Sequence, residues 1–455
     1  MARERLVVIG GDAGGMSTAS QLRRLNEDIE IVVFDKGRHT SYSACGIPYY
    51  VGGMIEDWED LISITPEEFQ ERGIDARVMH EVTSIDLKRR TVDVTDVASA
   101  KSFSMGWDKL LIATGTNRMK LTIPGSDADG IFTLDTVDSG VRMRKWMEEN
   151  RPKRAVVIGG GYIGLEMADI LSCHMGLDVC ILERAPQIMG TIDEDMAKLV
   201  AENVKSHGTR IVLGESATEF RTEGGRVKGI RTERGEIETD MVLVALGVLP
   251  NTSLAETAGI ETGVKGAIVV DPQMRTSAPD VWATGDCVQS VNMITGKPMH
   301  LALGAIANRQ GRVAALTMAG LRAAMPKVLG TAVCKVCGQE IGRTGAIERE
   351  LKADGREYMT GTINSHLKAG YMSGAGDINV KLIVDARTEK IVGCQTVGTE
   401  GSAKRVDTMA TAITAGMTLE DIISLDLSYA PPISPLWDPI QQAARYMRGR
   451  NLKKN

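Results

Sequence analysis

Two stretches of the chain share one pattern of apolar and polar positions. Leu6-Val-Val-Ile9 is a short apolar run that enters Gly10-Gly-Asp-Ala-Gly-Gly15. A helical spacing follows through Ala19, Leu22 and Leu25, and a second apolar run, Ile29 to Phe34, ends at Asp35. Far downstream, Ala155-Val-Val-Ile158 enters Gly159-Gly-Gly-Tyr-Ile-Gly164, helical spacing continues through Leu165, Ala168 and Leu171, and Val179 to Leu182 ends at Glu183. Strands buried on both faces read as short continuous apolar runs, and a crossover helix between two of them makes a parallel strand–helix–strand unit. The pattern predicts two dinucleotide-binding units.

Further runs suggest where each unit closes. Leu110-Leu-Ile-Ala-Thr-Gly115 ends the first and Met241-Val-Leu-Val-Ala-Leu-Gly247 the second, while Val281-Trp-Ala-Thr-Gly-Asp286 follows a turn around Pro279. Residues 302–319 read as a helix of small residues. Beyond them come alternating segments such as Asn379-Val-Lys-Leu-Ile-Val384, then helical patterns near 403–415 and 438–447. The expected class is α/β, two Rossmann-like dinucleotide-binding domains plus a C-terminal α+β domain. The expected divisions are 1–115, 116–250, 251–328 (a return to the first domain) and 329–455.

Length agrees with several domains, because 455 residues exceed the ~250–300 at which a single core stops growing. With 43% apolar and 25% charged residues the composition is that of a globular chain and argues against disorder. A net charge of −6 carries no electrostatic footprint for nucleic acid. No apolar run approaches the ~18 residues of a membrane span. Leu6 to Ile9 is too short for a signal-peptide core. Seven scattered cysteines, an odd number, are no disulfide scaffold and point to a reducing cytoplasm. The 49 glycines mark a fold that needs tight turns and close backbone approaches.

Each glycine turn between a strand and a helix lets the backbone approach a pyrophosphate, which the helix N-terminus attracts. The second has the full GxGxxG pattern in Gly159, Gly161 and Gly164, with Glu183 placed for a ribose. An acidic residue there favours NADH, whereas the adjacent Arg184 offers a partner for the 2′-phosphate of NADPH. The first turn departs from the motif, with Asp12 in place of the middle glycine, but Asp35 is in register for a ribose. Asp12 also reads as a residue the turn merely tolerates.

Directly after the first unit comes Ser41-Tyr-Ser-Ala-Cys45-Gly-Ile-Pro-Tyr-Tyr50. Pro48 suits the first turn of a helix, which puts Cys45 near a helix N-terminus, a location that stabilises the reactive thiolate. The alternative is a buried small hydrophobe.

Ser-x-x-x-Cys-Gly-x-Pro-Tyr after such a turn resembles the single-cysteine branch of the FAD-dependent pyridine nucleotide–disulfide oxidoreductases. Within that branch it is most similar to coenzyme A disulfide reductases and NAD(P)H-dependent CoA-persulfide or polysulfide reductases. The resemblance extends through Ala113-Thr-Gly115, Thr284-Gly-Asp286 and Ser428-Tyr-Ala-Pro-Pro432. It implies that the first domain binds FAD, the second NADH or NADPH, and that the C-terminal domain makes a homodimer. Gly10, Gly15 and Asp35 would hold the FAD adenylate half and Asp286 the ribityl chain. Gly159, Gly161, Gly164 and Glu183 would hold the nicotinamide cofactor. Asp12, Ala13, Gly14, Lys36, Ser43, Val82, Ala113, Thr114, Gly115, Tyr162, Ile163, Gly247, Gly285 and Ala302 complete the implied cofactor-binding set. Cys45 would be the redox nucleophile, and Ser17, Gln21, Arg24 and Ser41 would line a channel for CoA. Tyr371 and Tyr429 would reach into the other subunit's active site.

Departures narrow the chemistry. Two-cysteine members carry Cys-x-x-x-x-Cys, but the fifth residue after Cys45 is Tyr50, so Cys45 must pair with a small thiol or sulfur. Some CoA disulfide reductases have asparagine at 44 and lysine at 73 and 437, where this chain has Ala44, Gly73 and Trp437. Ala13 stands where related peroxidases and oxidases place a histidine. The expected activity is electron transfer from NAD(P)H through flavin and Cys45 to a small disulfide, persulfide or polysulfide. The alternatives are an NADH oxidase or peroxidase that cycles Cys45 through a sulfenic acid, and a flavin redox sensor without turnover. Cys334-x-x-Cys337 reads as a strand in the core, where residues three apart face opposite ways. Cys173, Cys180, Cys287 and Cys394 also read as core, and no metal site is expected.

Overall fold

The computed structural model describes residues 3–452. Strand β1 (Arg5–Ile9) runs through the first glycine turn into helix α1 (Ala13–Leu25) and then β2 (Glu30–Phe34). A short helix α2 (Ile47–Val51) follows, then β3 (Asp75–Arg77) and β4 (Lys109–Ile112). The second unit comprises β5 (Ile131–Phe132), β6 (Arg154–Ile158), helix α3 (Tyr162–Asp169), β7 (Asp178–Glu183), β8 (Arg210–Leu213) and β9 (Met241–Val244). The chain then returns to the first sheet as β10 (Val281–Ala283), which leads on to helix α4 (Gly304–Met318).

Both sheets are parallel, in the orders β10-β4-β1-β2-β3 and β8-β7-β6-β9-β5. Each carries its glycine turn at the carboxyl end of its central strand. A three-stranded antiparallel sheet interrupts each unit at the same stage, over 80–106 in the first and 217–238 in the second. The repeat read in the sequence is thus a repeat of whole domains. In open α/β sheets a ligand binds beyond the carboxyl ends of the strands, so both turns lie at ligand-binding edges.

The C-terminal part is an antiparallel sheet of β11 (Ala332–Val336), β12 (Gln339–Gly345), β13 (Tyr358–His366), β14 (Asp377–Asp385) and β15 (Ile391–Gly398), in the order β11-β12-β15-β14-β13. Helices Arg405–Ala415 and Pro439–Leu452 cover it. The alternation expected over 379–384 is absent: Val380, Lys381, Leu382, Ile383 and Val384 are all buried. Helices cover one face of β14, and the other face packs against the second nucleotide domain, so both need burial. No helix among the described residues is long and apolar enough to cross a membrane.

α1 and α4 cross at glycines. A Cβ on Gly311 would lie 2.8 Å from both the Gly14 carbonyl oxygen and the Ser17 Cβ. The backbone of the returning chain can therefore rest directly against the first turn of α1, bringing residues 284–286 beside the first phosphate site.

Candidate active site

The two glycine turns are built alike. Gly10 and Gly159 have φ of +107° and +110°, and a Cβ there would lie 2.2 Å from the Ala113 carbonyl oxygen or 2.4 Å from that of Ala245. A Cβ on Gly15 or Gly164 would lie 1.9 Å from the carbonyl oxygen of Gly10 or Gly159, so only glycine fits where helix and strand meet. The acidic residues are equivalent too. Asp35 accepts from the Gly11 and Gly37 N–H groups, each at 2.7 Å, and Glu183 accepts from those of Gly160 and Ala185, also at 2.7 Å. Each carboxylate oxygen retains a lone pair for a ribose hydroxyl.

Both cradles fit a dinucleotide. Gly161 has nothing within 4 Å of the position its Cβ would take, so a pyrophosphate can approach the backbone there. Beside the first turn, the buried Thr284 hydroxyl has no hydrogen-bond partner and lies 2.9 Å from where a Gly14 Cβ would sit. The Gly285 N–H donates to Gln310 Oε1 at 2.8 Å, and the Asp286 carbonyl is bound by His300 Nε2 at 2.7 Å, which fixes the Thr284-Gly-Asp286 loop against α4. Thr114 and Gly115 are tied to Asn251 at the crossing between domains.

Cys45 lies in a single helical turn, Ala44–Gly46, that continues into α2 with Pro48 at its start, as expected. Its thiol keeps an exposed edge. The expected stabilisation of its thiolate is not observed: burial by the packed floor, then the carboxylates of Glu166, Asp286 and Asp12, push the thiol up, and Arg118 opposes them. The helix end at Cys45 is only a few residues long, too weak to outweigh burial and three carboxylates.

Those carboxylates mark the site. Asp12 is pushed up to about 7 by burial, by Asp35 and by Asp286, against hydrogen bonds from the Ala13 and Tyr42 backbone. Glu166 is pushed up to about 7 by burial and by Asp169. Burial raises Asp35 and Asp286 as well. Carboxyl groups that titrate near neutrality in a cleft are a signature of functional sites. Sequence reasoning missed Glu166 and Arg118. The only signal for Glu166 is a charge among the apolar residues of α3, and Arg118 lies in a connecting strand with no motif.

The other expected residues are distributed as follows. Ser17, Gln21 and Arg24 share one face of α1, with Ser17 donating to Asn308 at 2.8 Å and Arg24 to Gln21 at 3.0 Å. The Ser41 N–H donates to the Gly11 carbonyl at 2.9 Å, beside the first turn. Val82 is packed in the first core. Tyr162 is half-buried, its hydroxyl accepting from Thr191 at 3.2 Å. Tyr371 and Tyr429 are side by side and exposed, and their mutual hydrogen bond pushes the Tyr371 phenol up. Cys180, Cys287, Cys334, Cys337 and Cys394 are buried as expected. Two cysteines differ from expectation, one in burial and one in its element. Cys173 is exposed, in a π-helical turn over Ile170–His174. Cys337 is in the turn between β11 and β12, with φ +47°, and not in a strand.

Two dinucleotide cradles, with the Cys45 thiol near carboxylates of both domains and no second thiol at the position of Tyr50, are the make-up of a nucleotide-dependent oxidoreductase. The family model for pyridine nucleotide-disulphide oxidoreductases matches residues 4–311, and that for the dimerisation domain of the same family matches 331–439. The chain belongs to this family, whose enzymes use FAD and NAD(P)H. It is 37% identical over 442 residues to an NADH oxidase of Methanocaldococcus jannaschii, covering 97% of this chain and 98% of that one. It is 36% identical to an NAD(P)H sulfur oxidoreductase (CoA-dependent) of Pyrococcus furiosus, covering 98% and 100%. Among solved structures, the reduced Bacillus anthracis CoADR-RHD superposes with a TM-score of 0.95 at 36% identity, covering 99% of this chain and 81% of that one. An NAD-dependent persulfide reductase from A. fulgidus superposes with the same score at 35% identity, covering 99% and 84%.

Proposed function

We propose that this protein reduces the sulfur–sulfur bond of a small disulfide, persulfide or polysulfide, with CoA as the thiol carrier, using NAD(P)H. The observation that carries this reading is the lone, partly exposed Cys45 thiol facing Asp12 and Asp286 of the first nucleotide domain and Glu166 of the second. The names of the Pyrococcus furiosus, Bacillus anthracis and A. fulgidus proteins support the substrate class.

FAD, when bound, supplies the two-electron relay between the nicotinamide and sulfur. The chain's own residues do the rest. The glycine turns hold the two pyrophosphates, and Asp35 and Glu183 take the adenosine riboses. The Cys45 thiolate attacks one sulfur of the substrate, forming a mixed disulfide and expelling a thiolate or hydrosulfide. Two electrons from NAD(P)H then cleave the mixed disulfide, returning the Cys45 thiolate and releasing the second sulfur product. The balance for a disulfide is one NAD(P)H and one proton consumed for two thiols formed. Ser17, Gln21, Arg24 and Ser41 line the approach for the carrier. Glu166, whose carboxyl is pushed up to about 7 and whose charge acts on Cys45, would hold a proton for the departing sulfur.

A homodimer completes the reading. Tyr371, Tyr429, Ile433, Leu436 and Trp437 are exposed in the C-terminal domain, large apolar side chains that a second copy would cover. A second copy covering them carries Tyr371 and Tyr429 towards the neighbouring Cys45.

The test is NAD(P)H consumption with CoA disulfide, CoA persulfide, oxygen and peroxide side by side, in wild type and Cys45→Ser. Turnover with the sulfur substrates that disappears in Cys45→Ser, with flavin retained, is expected. The Methanocaldococcus jannaschii relative supports the second reading, an NADH oxidase with a Cys45 sulfenic acid. Turnover confined to oxygen or peroxide would establish that reading instead.

A further inference from the structure

We infer that Asp169, Cys173 and Cys337 form a binding site for a soft divalent cation, zinc or its chemical equivalents, where the second nucleotide domain meets the C-terminal sheet. Their ligand atoms, one carboxylate oxygen and two sulfurs, all lie within 4.8 Å of one another, and the two sulfurs are 3.5 Å apart. A tetrahedral zinc with ~2.3 Å bonds to two sulfurs places them about 3.8 Å apart. The sulfurs are thus already at the separation a shared cation requires.

Each ligand is positioned by a separate structural feature. Asp169 ends α3, and Cys173 lies four residues on in the π-helical turn Ile170–His174, so both project from one side of a continuous helix. That spacing is the one helical metal motifs use, and π-turns inside helices occur preferentially at functional sites. Cys337 comes from the opposite domain, 164 residues along the chain from Cys173. Its turn adopts a left-handed conformation, φ +47°, and is tied down by Asn203, whose amide donates to the Val336 and Cys337 carbonyls at 3.3 and 3.1 Å.

An independent observation points to a ligand. Asp169 is only 9% exposed; its carboxylate meets the Cys337 thiol, and its Oδ1 is buried with no other hydrogen-bond partner. Buried carboxylate oxygens are normally paired, and a cation held by the two adjacent sulfurs supplies the missing partner. Cys173 is exposed, which gives the ion a route in and leaves its fourth position for water. Thiolate ligands select zinc, cadmium or copper(I) over magnesium or calcium. A second three-ligand cluster among the described residues, the carboxylates of Asp193, Asp195 and Glu348, is already filled by the Lys381 ammonium and offers no such vacancy.

The experiment uses the flavin-loaded protein carrying Cys45→Ser, so that the catalytic thiol cannot contribute. After reduction and removal of metal with a chelator, zinc is titrated against a chromophoric competitor, and metal content is measured after gel filtration. One zinc per chain is expected, with affinity falling at least roughly tenfold in Cys173→Ser and in Asp169→Asn. Bound zinc should also protect Cys173 from alkylation. Cys173 is exposed, so its serine variant removes a ligand without opening the core. Absence of stoichiometric zinc, zinc binding unchanged in both variants, or a Cys173–Cys337 disulfide in place of the metal overturns the proposal.

Discussion

Lys381 is nearly fully buried, and its Nζ lies 2.6 Å from Glu348, 2.7 Å from Asp195 and 3.1 Å from Asp193. Lys381 and Glu348 belong to the C-terminal domain, Asp193 and Asp195 to the second nucleotide domain, so one ammonium joins two domains. Burial alone would lower its pKa, but the Asp195 and Glu348 hydrogen bonds outweigh burial and raise it to about 12. Gln395 Nε2 and the Glu348 N–H also donate to Asp193, at 2.7 and 2.9 Å, which holds that carboxylate in the junction whether or not the lysine is present. Lys381→Met keeps most of the side-chain volume and deletes the charge. Removing one partner of a buried ion pair typically costs about 3–5 kcal/mol, because the remaining charge stays desolvated. For a protein of this size that corresponds to a fall in thermal midpoint of roughly 6–20 °C.

The pH dependence separates this mechanism from lost packing. Burial raises the Glu348 carboxyl, but the Lys381 hydrogen bond and charge outweigh it and leave the group below its ordinary 4.5. A depressed carboxylate stabilises the fold above its unfolded pKa and loses that contribution as pH falls through the folded one. Wild type should therefore weaken below about pH 4.5, while Lys381→Met, with nothing to lose, should not. Differential scanning calorimetry of both holoproteins from pH 8 down to about pH 2.5 should show a gap that closes below about pH 4.5 and shrinks in Lys381→Met/Glu348→Gln. A loss under about 1 kcal/mol at pH 7, or a gap independent of pH, would refute the reasoning.

Two further outcomes follow from the carboxylates around Cys45. Asp12 stands at about 7 in place of 3.8, so its contribution to stability is complete below the lower value and lost as pH rises through the higher one. The difference corresponds to at most about 4 kcal/mol. Asp12→Asn should flatten the stability profile of the flavin-free protein over that interval and strengthen FAD binding above neutrality, as read by denaturant titration and flavin fluorescence. A profile as steep as wild type's would remove Asp12 from the argument. Glu166 is the largest charged contributor raising the Cys45 thiol. Glu166→Gln should therefore move the pH midpoint of Cys45 alkylation downwards, and an unchanged midpoint would show that Glu166 takes no part in setting it.

Much of the fold is legible in the chain because its signals are local. A glycine at positive φ, an apolar strand before it and an acidic residue ending the next strand are constraints within some 30 residues, and steric exclusion at Gly10, Gly15, Gly159 and Gly164 enforces them. Cys45 is legible for the same reason, since Pro48 and the turn before it lie within a few residues. Where local signals mislead, the fold differs in two ways: β14 loses its alternation because both faces are covered, and Cys173 is exposed in a helical turn widened by one residue.

What the amino-acid order determined alone was the pair of nucleotide cradles, the lone thiol beside the first, and a second thiol position closed by Tyr50. What only the tertiary structure decided was which distant groups meet: Asp12, Asp286 and Glu166 around Cys45, Lys381 among three carboxylates, and Cys173 beside Cys337. Steric and periodic rules act between neighbours in the chain, whereas burial and charge act between neighbours in space. Those spatial neighbours come from domains whose docking no local pattern records.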